Sequence, residues 1–213
     1  MLATRNEHKV VELHRLLAPH VPGLADDAVV SVAGAVALGL PDPGEVAETG
    51  VTFAENSLLK ARAVAAATGL PAVADDSGLC VAVLGGAPGV FSARWAGRHG
   101  DDAANLRLLL DQLADVPEPH RAAWFECAAA LCLPDGDETV TTGRLTGTLT
   151  TAPRGDGGFG YDPVLVPDGD TRTCAELAPA EKDAISHRGQ AVRALLPRLT
   201  DVLGGTGAGR GEV

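Results

Sequence analysis

Apolar positions along the chain fall into two rhythms. Val10, Leu13, Leu16 and Leu17 recur at helical spacing after a short strand-like Leu2–Thr4, with Pro19 and Pro22 closing that helix. Residues 28–40 are apolar and partly β-like, and residues 41–50 form a loop rich in Pro, Gly and acid. Thr52-Phe53-Ala54-Glu55 has the spacing of a capping box, in which the Thr hydroxyl and Glu carboxylate each satisfy a free N–H at a helix start. That helix runs to about Ala67, and Gly69 and Pro71 end it. Ala72–Ala74 reads as a short buried strand entering an Asp75-Asp76-Ser77-Gly78 turn, and Leu79–Leu84 as another strand. Pro88 sits in a tight loop, and Asp101 or Asp102 caps a helix faced by Leu106, Leu109, Leu110 and Leu113.

Arg121–Leu133 then predicts a long strand, Pro134–Asp137 a hairpin turn, and Glu138–Thr150 a second strand. A glycine loop over Pro153–Gly160 leads through Tyr161-Asp162-Pro163 to a strand at Val164–Val166. Helices are predicted over Ala180–Ile185 and Gly189–Leu203, followed by a Gly-rich tail over residues 204–213 that is expected to be disordered. Helices and strands alternate at both ends around a β-rich middle. The pattern predicts one mixed α/β domain over residues 1–203, arranged as two lobes around a cleft.

Composition narrows the function classes. At 213 residues and 46% apolar the chain can bury a core. Its longest near-apolar run, Ala122–Leu133, is broken by Glu126 and falls short of the roughly 20 residues a spanning helix needs. No signal-peptide pattern opens the chain, so a cytoplasmic protein without membrane partners is expected. The formal net charge of −11 argues against DNA or RNA as a main partner. The four cysteines, Cys80, Cys127, Cys132 and Cys174, have no zinc-ligand spacing and read as small buried hydrophobes. Against fourteen arginines stand only Lys9, Lys60 and Lys182. Lysines kept in so arginine-biased a chain are candidates for compact point charges against phosphate.

Four constellations could carry chemistry. In Thr4-Arg5-Asn6-Glu7-His8-Lys9 a strand turns into a helix, whose first N–H groups, Thr4, Asn6 and Lys9 could receive phosphate; alternatively Asn6 merely caps the helix. Glu48 and the Asp75-Asp76 pair offer the carboxylates that Mg2+ prefers. Strand alternation sends the two aspartates to opposite faces, which favours Asp76, beside Ser77, for holding metal or deprotonating water; an Asp-rich polar turn is the competing reading. Gly155–Pro163 contains G-x-G-x-x-G, but Pro163 follows where a dinucleotide site needs a helix. Two of the chain's seven aromatics, Phe159 and Tyr161, stand in this loop, either to stack on a base or to plug a turn. Lys182 with Ser186-His187-Arg188 lies where one helix stops and another starts. These cations could meet phosphate or a purine 6-oxo group, or could lie on the surface.

Taken in order, the segments TRNEHK (4–9), ETGVTFAENSLLKAR (48–62), ADDSGL (74–79), LGGAPGVFSARWAG (84–97), GDGGFGYDPV (155–164) and LAPAEKDAISHRGQA (177–191) closely resemble the inosine/xanthosine triphosphate pyrophosphatase family. The resemblance implies an elongated central mixed β-sheet with two α/β lobes flanking a nucleotide-binding cleft, and a homodimer. It implies Mg2+-dependent hydrolysis of ITP, dITP and XTP to the monophosphate and pyrophosphate. It makes Asp76 the general base and a metal ligand, with Glu48 as second ligand. Thr4, Arg5, Asn6, Glu7, His8, Lys9, Ser77, Phe159, Gly160, Tyr161, Asp162, Lys182, His187 and Arg188 would bind substrate, and Lys60 would point at the phosphates. Arg5 replaces a glycine common among relatives, and the chain starts close to the first motif. A pyrophosphatase for modified pyrimidine nucleotides and a catalytically silent nucleotide-binding protein are the alternatives.

Overall fold

The computed structural model describes residues 1–4, 6–17 and 30–205. Among the described residues, six α-helices and four strands form a mixed α/β fold: α1 (Glu7–Leu17), α2 (Val32–Ala37), α3 (Phe53–Thr68), β1 (Ala72–Val81), α4 (Asp102–Gln112), β2 (Ala122–Cys132), β3 (Glu138–Leu149), β4 (Leu165–Pro167), α5 (Pro179–Ile185) and α6 (His187–Gly205). The sheet runs in the order β1-β2-β3-β4. β3 and β4 pair antiparallel, with Gly147 opposite Pro167 and Leu149 opposite Leu165, while Leu2 makes parallel bridges to Val73 and Ser31.

Two compact units divide the chain. The first comprises Met1–Asp75, Ala128–Thr142 and Ala191–Val213; the second comprises Asp76–Cys127 and Gly143–Gln190. Within the first, Ala61, Val64 and Ala65 of α3 pack with Ala72 and Ala74 of β1, Ala130 and Cys132 of β2, Ala3 and Val32. Small side chains dominate this core, so helix and sheet approach closely. Within the second, Leu79, Val81, Leu109, Leu113, Phe125, Leu145, Leu149, Tyr161 and Leu165 form a core of larger residues. Each such Leu, Val or Phe contributes roughly 1.5–3 kcal/mol on burial.

Local chemistry sets most element ends as the sequence predicts. Thr52 and Glu55 close the capping box of α3, and Gly69 ends it in the left-handed region at φ 67°. Asp101, not Asp102, caps α4, its carboxylate accepting from the Ala104 N–H at 3.1 Å. β2 and β3 are joined by a turn in which the Gly136 N–H donates to Leu133 O at 3.0 Å. All four cysteines are buried free thiols. Burial raises the Cys80 and Cys132 thiols to about 11 and Cys174 to about 12, which keeps them protonated and unreactive.

Three expectations change. Residues 72–81 form one uninterrupted strand, so Asp75-Asp76-Ser77-Gly78 is strand interior rather than a turn, and a 3-10 turn replaces the predicted strand at 82–84. The β-like stretch before residue 40 contains helix α2, started by Ser31, whose hydroxyl accepts from the Gly34 N–H. Residues 204 and 205 still belong to α6, while the remainder of the predicted tail, together with Pro19, Pro22, residues 28–29 and Arg5, lies outside the described residues. Glu7 and His8 stand in the first turn of α1, and their side chains lie outside the description.

Candidate active site

In the first unit the strand-to-helix turn forms as predicted. The Asn6 N–H donates to the Thr4 hydroxyl at 3.2 Å, and the Lys9 N–H donates to Asn6 Oδ1 at 3.3 Å, so Asn6 caps α1. Capping and anion binding are compatible here, since one side-chain acceptor satisfies only part of a helix start. Lys9 reaches from α1 to β1, its Nζ 3.0 Å from Asp75 Oδ2. Asp75 is 2% exposed, so its charge is kept inside by this ion pair. Asp75 is therefore the strand residue that holds Lys9. Lys60, on α3, has Nζ 3.0 Å from Glu48 Oε1. The resemblance points Lys60 at the phosphates; in this structure it pairs with the candidate metal-binding carboxylate.

In the second unit, Asp76 and Ser77 continue β1, with Asp76 buried. Their position depends on Gly78: a Cβ there would lie 2.4 Å from Ser92 Oγ and 2.5 Å from Gly89 O. Ser92 Oγ accepts from the Leu79 N–H at 2.9 Å and donates to Gly89 O at 2.7 Å, which fixes the strand where it leaves the two polar residues. Ser77 Oγ accepts from Arg188 Nη2 at 2.8 Å.

The glycine loop forms no helix, in agreement with the sequence. Gly158 has φ +71°, and a Cβ on it would fall 2.0 Å from Asp162 Oδ2. That carboxylate accepts from the Phe159 N–H at 2.8 Å and pairs with Lys182 Nζ at 2.6 Å. Phe159 is half-buried, with Lys182 Nζ 5.3 Å and the Arg188 guanidinium 5.6 Å from its ring centroid. Tyr161 is buried, and its hydroxyl donates to Ser92 O at 3.0 Å. Burial, and secondarily the Asp102 charge, pushes that hydroxyl well above the usual range, so it stays a neutral donor. Phe159 is thus the stacking candidate and Tyr161 the plug.

Lys182, His187 and Arg188 are buried, which excludes the reading of surface cations. Pro179 starts α5, Ser186 interrupts with extended dihedrals, and α6 begins at His187. The Ser186 hydroxyl accepts from the Gly189 N–H at 2.9 Å and so caps α6, which sets the first-turn directions of His187 and Arg188. His187 stacks on Phe125 of β2, with ring centroids 4.9 Å apart and planes 20° from parallel.

The structure thus brings together, within the second unit, Ser77, Phe159, Asp162, Lys182 and Arg188, and separately Thr4, Asn6 and Lys9 within the first. Phe125 and Asp102 were not singled out from the sequence. Phe125 lies in an apolar strand pattern that any core residue shares. Asp102, whose carboxylate accepts from the Gly160 N–H at 3.0 Å, read as a helix cap.

Similarity to known proteins extends along nearly the whole chain. Residues 1–198 match the Ham1 family. The dITP/XTP pyrophosphatase of Streptomyces coelicolor is 64% identical over 204 residues, covering 96% of this chain and 98% of that protein. The protein of the same name from Mycobacterium tuberculosis is 55% identical over 206 residues, covering 96% and 97%. Among solved structures, a nucleoside-triphosphatase, dITP/XTP pyrophosphatase, from Mycobacterium abscessus is 52% identical with a TM-score of 0.72, covering 92% of this chain and 97% of its own. A HAM1 protein from Coxiella burnetii is 39% identical with a TM-score of 0.78, covering 94% and 97%. On the match along residues 1–198 and these identities, the chain belongs to the Ham1 family.

Proposed function

We propose that this chain hydrolyses the non-standard purine nucleoside triphosphates ITP, dITP and XTP to the monophosphate and pyrophosphate, clearing them from the nucleotide pool. The observation that carries this reading is the half-buried Phe159 ring flanked by Lys182 and Arg188. An aromatic face offers a base a stacking surface, and adjacent buried cations suit a base that presents an acceptor. His187 and Arg188 donate to the 6-oxo group of hypoxanthine or xanthine. Adenine presents a 6-amino donor at that place and leaves those donors without an acceptor. The 64% identity to a dITP/XTP pyrophosphatase supports the same substrate class.

Glu48 and Asp76 are the proposed Mg2+ ligands. They are hard oxygen donors, and Mg2+ commonly takes one or two protein carboxylates and completes its shell with water and substrate phosphate. The ion pair with Lys60 fits Glu48 being ionised, as a ligand must be. When bound, the ion supplies charge neutralisation of the triphosphate and polarises a water. Asp76 accepts the proton of the water that attacks the α-phosphorus. The helix start at Thr4 and Asn6 receives phosphate oxygens, and Lys9, Lys60 and Lys182 offset charge on the departing pyrophosphate. The protein acts in the cytoplasm as a homodimer; four reduced, buried cysteines are in keeping with that compartment.

Pyrophosphate release should be followed from dITP, XTP, ITP, ATP and dUTP, each with Mg2+ and with EDTA. Release is expected from the three 6-oxopurine substrates at least tenfold faster, by about the value of one mismatched polar contact, than from ATP or dUTP, and to vanish with EDTA. A preference for dUTP would favour the pyrimidine reading, and no release from any substrate the silent one.

A further inference from the structure

Resting on the proposed reading of Phe159 as the base platform, we infer that Asp102, on helix α4, is a positioning residue for substrate binding: its carboxylate fixes the Phe159-Gly160 turn by accepting the Gly160 N–H. Side-chain hydrogen bonds support this turn within the second unit. Asp162 accepts the Phe159 N–H at 2.8 Å, Asp102 accepts the next N–H, that of Gly160, at 3.0 Å, and the Tyr161 hydroxyl donates to Ser92 O at 3.0 Å. Two consecutive amides are therefore held by carboxylates from separate elements. Gly160 itself is left-handed at φ 60°, so the turn is a conformation that must be held in place.

Helix α4 is a suitable bracket. Asn105, in its second turn, donates to Ala93 O at 3.2 Å and accepts from the Ala96 N–H at 2.7 Å. The helix is thereby tied to the segment that carries Ser92, and Ser92 in turn holds Tyr161. The Asp102 bond closes this circuit on the loop itself. Of the three anchors, Asp162 also balances buried Lys182 and Tyr161 fills the core, whereas Asp102 is exposed and removable without opening a cavity. Losing it leaves the chemistry at the α-phosphorus intact but makes substrate binding order a looser platform, a cost that appears in KM.

The test compares Asp102→Ala, Asp102→Asn and Asp101→Ala in steady-state dITP hydrolysis with Mg2+, with thermal unfolding of each. Asp101 caps the same helix, its carboxylate accepting from the Ala104 N–H. Asp102→Ala is expected to raise KM about tenfold with kcat within about twofold of the parent. Asp102→Asn, whose amide oxygen still accepts, should restore KM, and Asp101→Ala should lower Tm without moving KM. An unchanged KM in Asp102→Ala, no rescue by asparagine, or an equal rise in Asp101→Ala would overturn the inference. Binding of dITP measured by calorimetry in EDTA separates this result from the reaction itself. If the parent binds dITP without hydrolysing it, the proposed function falls while the ranking of the variants still decides the role of Asp102.

Discussion

Asp76→Asn is expected to lower kcat for dITP by roughly 10³-fold, the usual contribution of a general base, while calorimetric affinity for dITP changes far less. The substitution keeps the shape of the side chain and removes only its charge and basicity. Asp76 is buried in the continuous strand β1, so an isosteric amide finds the same space. The neighbouring position is the control. Asp75 lies one residue earlier, on the opposite face by strand alternation, and its carboxylate holds Lys9 at 3.0 Å. Asp75→Asn should therefore weaken substrate binding by releasing Lys9 and lower stability, because it leaves a cation without its buried partner. A kcat for Asp76→Asn within a few fold of the parent would remove Asp76 from its role.

Arg121→Met is expected to cost about 4 kcal/mol of stability, read as a Tm lower by roughly 10 °C, without a specific effect on dITP affinity. Arg121 is 1% exposed. Its Nε donates to Leu149 O at 2.9 Å, Nη1 to Leu113 O at 2.7 Å and Val116 O at 3.3 Å, and Nη2 to Thr150 O at 2.8 Å. One planar fork thus joins the end of α4, the connection after it, and the end of β3. Burial depresses the guanidinium pKa, yet an arginine side chain remains charged. Methionine fills much of the volume but leaves four carbonyl groups short of a donor. Lysine cannot rescue, since its single nitrogen cannot reach the four oxygens that the fork spans. A Tm within 2 °C of the parent, or about half a kcal/mol, would show that water replaces these bonds.

How well the sequence forecast the structure depended on how local the cause was. The capping box at Thr52 and Glu55, the end of α3 at Gly69 and the β2–β3 turn are decided by groups within four residues of each other, and each forms as predicted. The Asp75-Asp76-Ser77-Gly78 segment failed for the opposite reason. Its residue types favour a turn, but Lys9 takes one aspartate and Ser92 packs against Gly78, so distant partners draw the segment straight. Strand alternation nevertheless fits Asp75 turning to Lys9 while Asp76 takes the other face. The ion pair of Lys60 with Glu48 was not foreseen, because no spacing rule joins residues twelve apart. In the same way Arg121 read as the first residue of a strand, and Asp102 as a helix cap, because their partners lie in other elements. Of the proposed nucleotide site, the Phe159 loop and the α5–α6 junction stood out in the sequence through unusual residues at element breaks. The supports behind them, Phe125 and Asp102, carry no such mark.

The central claim concerns where the triphosphate is cut, and hydrolysis of dITP in ¹⁸O-labelled water with Mg2+ tests it most directly. Attack at the α-phosphorus predicts dIMP carrying the label and unlabelled pyrophosphate. Label in pyrophosphate, or release of dIDP and inorganic phosphate, would contradict it.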